Sequence, residues 1–269
     1  MRAGTFVAAL VMVSMIPAAP AHADPQEAKL GSKVYNWLAG QGKIVEQSPL
    51  YDILNPIANP LKAVADPRYD APFVFTLGRD PYANVASVPG GRIYVSEKTF
   101  DVIQYREELA GALCHAVAHV VRHDYAALVR KNANAQLSGA ALAIGLMAGS
   151  WSTTPFANLW QLGTGDVSSI TGPAAVGGVL STAASLAAAA KAERGADEMG
   201  ADLCAEAGLN PWGLVWLLQN YKKANFGGRM EMLSNDASDR VRNLEAYFAN
   251  APDRFARFDG DRAHGTPLR

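Results

Sequence analysis

The chain has 269 residues, with 24 Lys and Arg against 25 Asp and Glu, and 49% of its residues are hydrophobic. This length is sufficient to bury a large core. A near-neutral charge without a concentrated basic face excludes nucleic acid as a predicted partner, and the sequence shows no repeat of fixed period.

The first 23 residues have the pattern of a secretory signal peptide. Arg2 provides a positive start, residues 6–16 form an apolar run, and residues 21–23 (Ala-His-Ala) fit a small-x-small cleavage site. The run is too short for a stop-transfer helix, and an uncleaved N-terminal anchor is the alternative. We therefore expect cleavage between Ala23 and Asp24, and a mature chain that is exported and either periplasmic or secreted.

The rest of the chain has the pattern of an α+β domain that is mainly α. Helices are predicted over residues 27–46, 50–64, 107–131, 191–207 and 236–248, with another beginning after Asn210-Pro211. Pro56 and Pro60 are expected to interrupt the helix over 50–64. Strands are predicted over residues 72–77, 84–88 and 92–95, and the last two form a hairpin around Pro89-Gly90-Gly91. These elements form one predicted domain over residues 24–257, followed by a polar, loose tail over 258–269.

Two histidines on the predicted helix 107–131 have the spacing of metal ligands. His115 and His119 are four residues apart, so both imidazoles lie on one side of the helix and could hold one zinc ion. In zinc peptidases such a pair usually reads H-E-x-x-H, but here Ala116 follows the first histidine. His123 lies about 12 Å along the helix from His115, so it is not expected to join the same ion.

A second predicted helix offers carboxylates at the same spacing. Glu193 and Asp197 share a helix face in an E-x-x-x-D pattern. A carboxylate can complete a two-histidine zinc site, and an Asp one turn further on can accept the other ring N–H of a ligand histidine. Alone, this pattern is equally typical of a solvated helix face.

Several short segments occur in a fixed order over about residues 50–245. They are Asn84, Pro89-Gly90-Gly91-Arg92-Ile93-Tyr94-Val95, Glu108-Leu109-Ala110-Gly111, His115, His119-Val120, His123, Glu193, Ala196-Asp197, Gly200 and Gly208-Leu209-Asn210-Pro211. Together they resemble the HtpX-type zinc metallopeptidases of peptidase family M48, and in particular their soluble periplasmic branch.

The resemblance implies a zincin-like (gluzincin) fold in which two crossing helices hold zinc beside a small antiparallel sheet or hairpin. It implies one zinc ion per chain, bound by His115, His119 and Glu193, with Asp197 behind them. It also implies that Asn84, Pro89, Gly90 and Gly91 border a substrate cleft, where an extended polypeptide could pair with the hairpin. A plain hairpin turn is the alternative for the Pro-Gly-Gly segment.

Two departures from the family pattern concern catalysis. The glutamate that acts as general base in the family is replaced by Ala116, and Glu108 lies about 12 Å from that position along the helix. The family's Thr-His-Pro segment is also absent before Arg240, which is retained and would stabilise an oxyanion. Two losses together favour natural divergence over a single engineered inactivation.

The two cysteines are predicted to be buried free thiols. If the helices cross at the metal, Cys204 lies about 16 Å beyond the crossing, too far from Cys114 for a disulfide. The Ala-rich stretches at about 137–149 and 172–190 are expected to be core helices rather than membrane contacts.

Three functions follow from these patterns. The favoured one is an exported, zinc-binding peptidase homologue, a pseudopeptidase whose cleavage of protein substrates is weak or lost. The alternatives are an active zinc endopeptidase that uses another base, and a metal-free interaction or chaperone-like module with a client protein.

Overall fold

The structure, a computed structural model, describes residues 25–79, 83–88, 90–124, 183–223 and 231–269. The predicted signal peptide, Pro89, the Ala-rich stretch 137–149 and residues 172–182 of the second stretch lie outside these ranges, whereas residues 183–190 are helical. The helices are α1 Pro25–Gly40, α2 Tyr51–Ala65, α3 Thr99–Val102, α4 Arg106–Val121, α5 Ala183–Glu206, α6 Trp212–Lys223, α7 Glu231–Asn250 and α8 Pro252–Phe255. The strands are β1 Ile44–Val45, β2 Val74–Gly78, β3 Val85–Val88 and β4 Arg92–Ser96.

The sheet is mixed, so the expected antiparallel sheet is wrong, although its hairpin is confirmed. The strand order is β1-β2-β4-β3, with β3 antiparallel to β4 and β2 parallel to β4. Strand β4 follows β3 in the chain and lies between β2 and β3 in the sheet. At the hairpin turn Gly90 and Gly91 have φ angles of 83° and 77°, which favour glycine.

Two predicted helices differ from the structure at the N-terminal side. The helix predicted over 27–46 ends at Gly40, because Ile44 and Val45 instead pair with β2. Helix α2 continues through Pro56 and Pro60, which were expected to interrupt it. Its buried face, which includes Leu54, accounts for this, because apolar packing outweighs the two lost backbone hydrogen bonds.

Helix α4 lies at the centre of the core, and every residue from Glu108 to Val120 is buried. It packs very closely on α5: a Cβ atom on Gly200 would lie 3.0 Å from the Cα of His115. Helix α4 ends at Val121 rather than at residue 131, and residues 125–131 lie outside the described ranges. Helix α5 ends before Gly208, whose φ of 72° fits the predicted helix stop.

The C-terminal segment is ordered, which contradicts the prediction of a loose tail. The Leu268 N–H donates to the Gln104 carbonyl, and the Arg106 N–H donates to the Thr266 carbonyl. Leu268 is buried, and Arg262 pairs with the fully buried carboxylate of Glu108. The tail therefore closes the N-terminal end of α4, a role that its polar composition did not reveal.

Candidate metal centre

Helices α4 and α5 bring His115, His119 and Glu193 together in the core. The Nε2 atoms of the two histidines are 3.1 Å apart, and each lies 3.4 Å from a carboxylate oxygen of Glu193. All three residues are at most 6% exposed. Four ligands at about 2.0–2.1 Å from zinc stand about 3.3 Å apart at the corners of a tetrahedron. The three donor atoms fit this spacing, so the residues present suit zinc.

Each histidine of the cluster has a carboxylate at its other ring nitrogen. The Nδ1 atom of His115 lies 2.9 Å from Oδ1 of Asp197, although the angle departs from that of a well-formed hydrogen bond. The Nδ1 atom of His119 lies 2.9 Å from Oδ2 of Asp124. Carboxylates in these positions favour protons on Nδ1, which leaves both Nε2 lone pairs for a metal. The sequence analysis predicted Asp197 and missed Asp124.

Arg240, on α7, contacts both carboxylates of α5. Its Nη2 and Nε atoms donate to the two oxygens of Asp197 at 2.7 and 2.8 Å, and its Nη1 atom lies 3.1 Å from Glu193. The predicted role of Arg240 was oxyanion stabilisation, whereas the structure places its guanidinium against these two acidic groups. It supplies the positive charge that lets both remain ionised in the core.

The electrostatics of the site favour ionised carboxylates. Burial alone would raise the pKa of Glu193, but Arg240 and the two histidines hold it well below its usual range. Burial also opposes the shift at Asp197, whose pKa is lowered by Arg240 and His115. Burial would lower the pKa of His119, but the hydrogen bonds to Asp124 and Glu193 raise it to about 9 in the metal-free protein. A zinc ion would therefore displace a proton from His119 on binding.

Ala116 is 2% exposed and lies next to His115 on α4. Glu108 cannot replace the missing carboxylate, because it caps the start of α4 and pairs with Arg262. Within the described ranges, the cluster of potential metal ligands contains one carboxylate, Glu193. That carboxylate is part of the ligand set, so the described residues place no evident general base at the site.

His123 lies outside the cluster, as its distance along the helix predicted. It has a φ of 52°, and its Nδ1 atom lies 3.0 Å from a carboxylate oxygen of Glu27. The same oxygen accepts a hydrogen bond from the hydroxyl of Tyr69. That hydroxyl in turn accepts the Gly90 N–H. Helix α1 thereby connects the end of α4 to the hairpin turn.

The predicted cleft residues are only partly brought together. Gly90 and Gly91 form the turn of the hairpin, and β3 is an edge strand of the sheet. Asn84 precedes β3 and is only 3% exposed, and its backbone carbonyl accepts from the Thr99 hydroxyl. Pro89 lies outside the described ranges. The edge of β3 is therefore the feature of this region that could pair with a peptide.

The prediction of free thiols is wrong, because Cys114 and Cys204 form a disulfide. Their Cα atoms are 5.7 Å apart, which is a normal distance for such a bond. The error came from assuming that the two helices diverge beyond the metal. Instead α4 and α5 remain in contact: Gly200 touches the backbone at His115, and the Sγ atom of Cys204 lies 3.6 Å from the Ala110 carbonyl.

Two histidines four residues apart on one helix, facing a glutamate on a second helix, form a candidate site for a zinc ion. The sequence profile of Peptidase family M48 matches residues 46–259. The chain belongs to this family, which confirms the resemblance. No individual curated protein matches the chain. Within the described ranges, no helix is both long and apolar enough to cross a membrane.

Proposed function

We propose that this protein is an exported zinc-binding member of the family, with a gluzincin-like fold, whose proteolysis is weak or lost. The observation that carries the proposal is a buried alanine beside a complete set of three ligands. His115, His119 and Glu193 have the spacing of a zinc site, whereas Ala116 has no group that can accept a proton. Export rests on the N-terminal sequence pattern, and a disulfide is typical of exported proteins.

Different described residues would bind the ion, orient its ligands and balance the buried charge. His115, His119 and Glu193 would hold the ion, while Asp197 and Asp124 orient the two imidazoles. Arg240 balances the buried charge of the two α5 carboxylates. Zinc, when bound, lowers the pKa of water and polarises a carbonyl group. A polypeptide substrate or client protein would lie along the edge of β3.

Proteolysis additionally needs a base that takes a proton from water and passes it to the leaving amine. A positioned group of this kind contributes about 10²–10⁴-fold, or roughly 3–5.5 kcal/mol of barrier. Position 116 is occupied by a methyl group, and the carboxylates beside the cluster bind histidines or Arg240. Among the described residues, three can therefore hold zinc, and none beside them is placed to move the proton.

The test compares casein cleavage by the wild type, Ala116→Glu and Ala116→Gln, each with and without a zinc chelator. The glutamine variant is the matched control, because it adds the same bulk to the buried position without a basic group. We expect little cleavage by the wild type and by Ala116→Gln. Ala116→Glu should gain chelator-sensitive activity of up to about 10²–10⁴-fold.

Two results would contradict the proposal. Brisk, chelator-sensitive cleavage by the wild type that Ala116→Glu does not improve would mean that another base exists. A purified protein that binds no zinc when zinc is supplied would favour the metal-free interaction module. Elemental analysis and the casein assay therefore separate the three functions that the sequence allows.

A further inference from the structure

A charged pair follows immediately after the metal-site helix and contacts one of the two histidines. The Oδ2 atom of Asp124 lies 2.9 Å from the Nδ1 atom of His119 and 3.1 Å from the Nε atom of Arg122, which donates to it. The side chain of Asp124 is 13% exposed and that of His119 is 2% exposed. The contact is therefore largely shielded from water.

The backbone brings Asp124 back toward the helix that it has just left. Helix α4 ends at Val121, and His123 adopts a φ of 52°, a conformation unusual for a residue with a side chain. The ring of His123 is held by Glu27 and packs against Tyr69. This contact with α1 fixes the turn that directs Asp124 to His119.

A glycine on the opposite helix leaves room for Arg122. A Cβ atom on Gly195 would lie 2.4 Å from atoms of the Arg122 guanidinium. Gly195 stands midway between Glu193 and Asp197 in the E-x-x-x-D segment. The guanidinium of Arg122 thus lies against α5 at Gly195, and a side chain at position 195 would displace it.

We propose that Asp124 is a positioning residue for His119 and that Arg122, seated on Gly195, holds Asp124 in place. The proposal rests on the zinc site of the proposed function. Asp124 keeps the Nδ1 proton of His119 on the outer side of the ring, so that Nε2 points at Nε2 of His115 and at Glu193. The two histidines thereby have separate partners: Asp197 serves His115 and Asp124 serves His119.

The experiment measures the zinc affinity of the full exported chain by competition with a chromophoric chelator. Variants are Asp124→Ala, Asp124→Asn and, as an exposed control, Asp239→Ala. Loss of such a partner typically weakens binding about 10–100-fold, which we expect for Asp124→Ala. Asp124→Asn should lose less, because its amide oxygen still accepts from Nδ1–H, and Asp239→Ala should match the wild type. Circular dichroism of each metal-free variant establishes that it is folded.

The contribution of Arg122 is tested with Gly195→Ala, Arg122→Ala and the double variant. Gly195→Ala should weaken zinc binding in the wild-type background and have no further effect once Arg122 is absent. If the two effects add, Gly195 does not act through Arg122 and that part of the proposal is wrong.

Failure of this inference and failure of the proposed function give different results. Equal zinc affinity of the wild type, Asp124→Ala and Asp124→Asn would overturn the role of Asp124 while leaving the zinc site intact. A wild type that binds no zinc would overturn both. If Asp124→Ala does not fold, Asp124→Leu takes its place, because leucine fills a similar volume and cannot accept a hydrogen bond from Nδ1–H. A wild-type zinc affinity of folded Asp124→Leu would overturn the role of Asp124.

Discussion

The disulfide between Cys114 and Cys204 closes a loop with a sequence separation of 90 residues and joins the two helices of the metal site. In the chain-entropy model, a cross-link lowers the conformational entropy of the unfolded chain by about 2.1 + 1.5R ln n cal/mol/K, where n is the number of residues in the closed loop. For a loop of this size the contribution is about 4.6 kcal/mol at 25 °C. We therefore predict that reduction lowers the free energy of unfolding by several kcal/mol.

The assay is urea unfolding of the metal-free protein, followed by circular dichroism, with the disulfide intact or reduced. Reduced wild type is the cleanest comparison, because both sulfur atoms remain in place and only the cross-link is lost. With a slope of about 2.5–3 kcal/mol/M, the unfolding midpoint should fall by about 1.5–2 M urea. A Cys114→Ala/Cys204→Ala variant serves as a second reference and should lose slightly more, because it also leaves a small cavity.

Two results would refute this reasoning. Oxidised and reduced protein that unfold within about 1 kcal/mol of each other would show that the cross-link does not restrict the unfolded chain as calculated. Alkylation of two thiols in denatured, non-reduced protein exported from cells would show that the disulfide does not form. Both cysteines are 1% exposed, so the native protein itself would resist alkylation in either state.

Two further predictions concern zinc and the C-terminal segment. His119→Ala should remove most of the approximately one zinc per chain found by elemental analysis. His264→Ala should retain the zinc, because His264 is exposed and pairs with Asp259 outside the cluster. Equal zinc in both variants would place the site elsewhere. Arg262→Ala should lower the free energy of unfolding by about 3 kcal/mol, because it leaves the fully buried Glu108 without its ion pair. Arg242→Ala, which removes an exposed pair, should change it by less than about 1 kcal/mol in the same urea titration.

Sequence rules that involve only neighbouring residues were sufficient to predict which side chains share a helix face. The four-residue spacing placed His115 and His119 on one face, and the same rule placed Glu193 with Asp197. Strand boundaries were also close, because alternating β-branched residues and the Gly-Gly turn are local signals. Helix α5 ends at Glu206, within one residue of its predicted end, because the glycine of positive φ that follows, Gly208, is a local signal.

Interactions between distant segments were not predictable in this way. The parallel pairing of β2 with β4 depends on a chain crossing that no strand sequence encodes alone. The disulfide depended on the angle between two helices, which Gly200 sets by close backbone contact. Asp124 was missed because it lies beyond the end of α4 and reaches His119 only through a turn at His123. In that turn His123 has a positive φ, a conformation that favours glycine.

The pairing of Arg262 with Glu108 has a consequence for the order in which the protein can complete its fold. The two residues are 154 positions apart, so the helix that carries the two histidines acquires this partner only after 154 further residues have been synthesised. In a nascent or truncated chain that stops before residue 262, Glu108 would be buried without its ion pair, or that end of the helix would remain unpacked. Chaperones and proteases bind exposed core segments, so they would act on such incomplete chains in preference to folded ones.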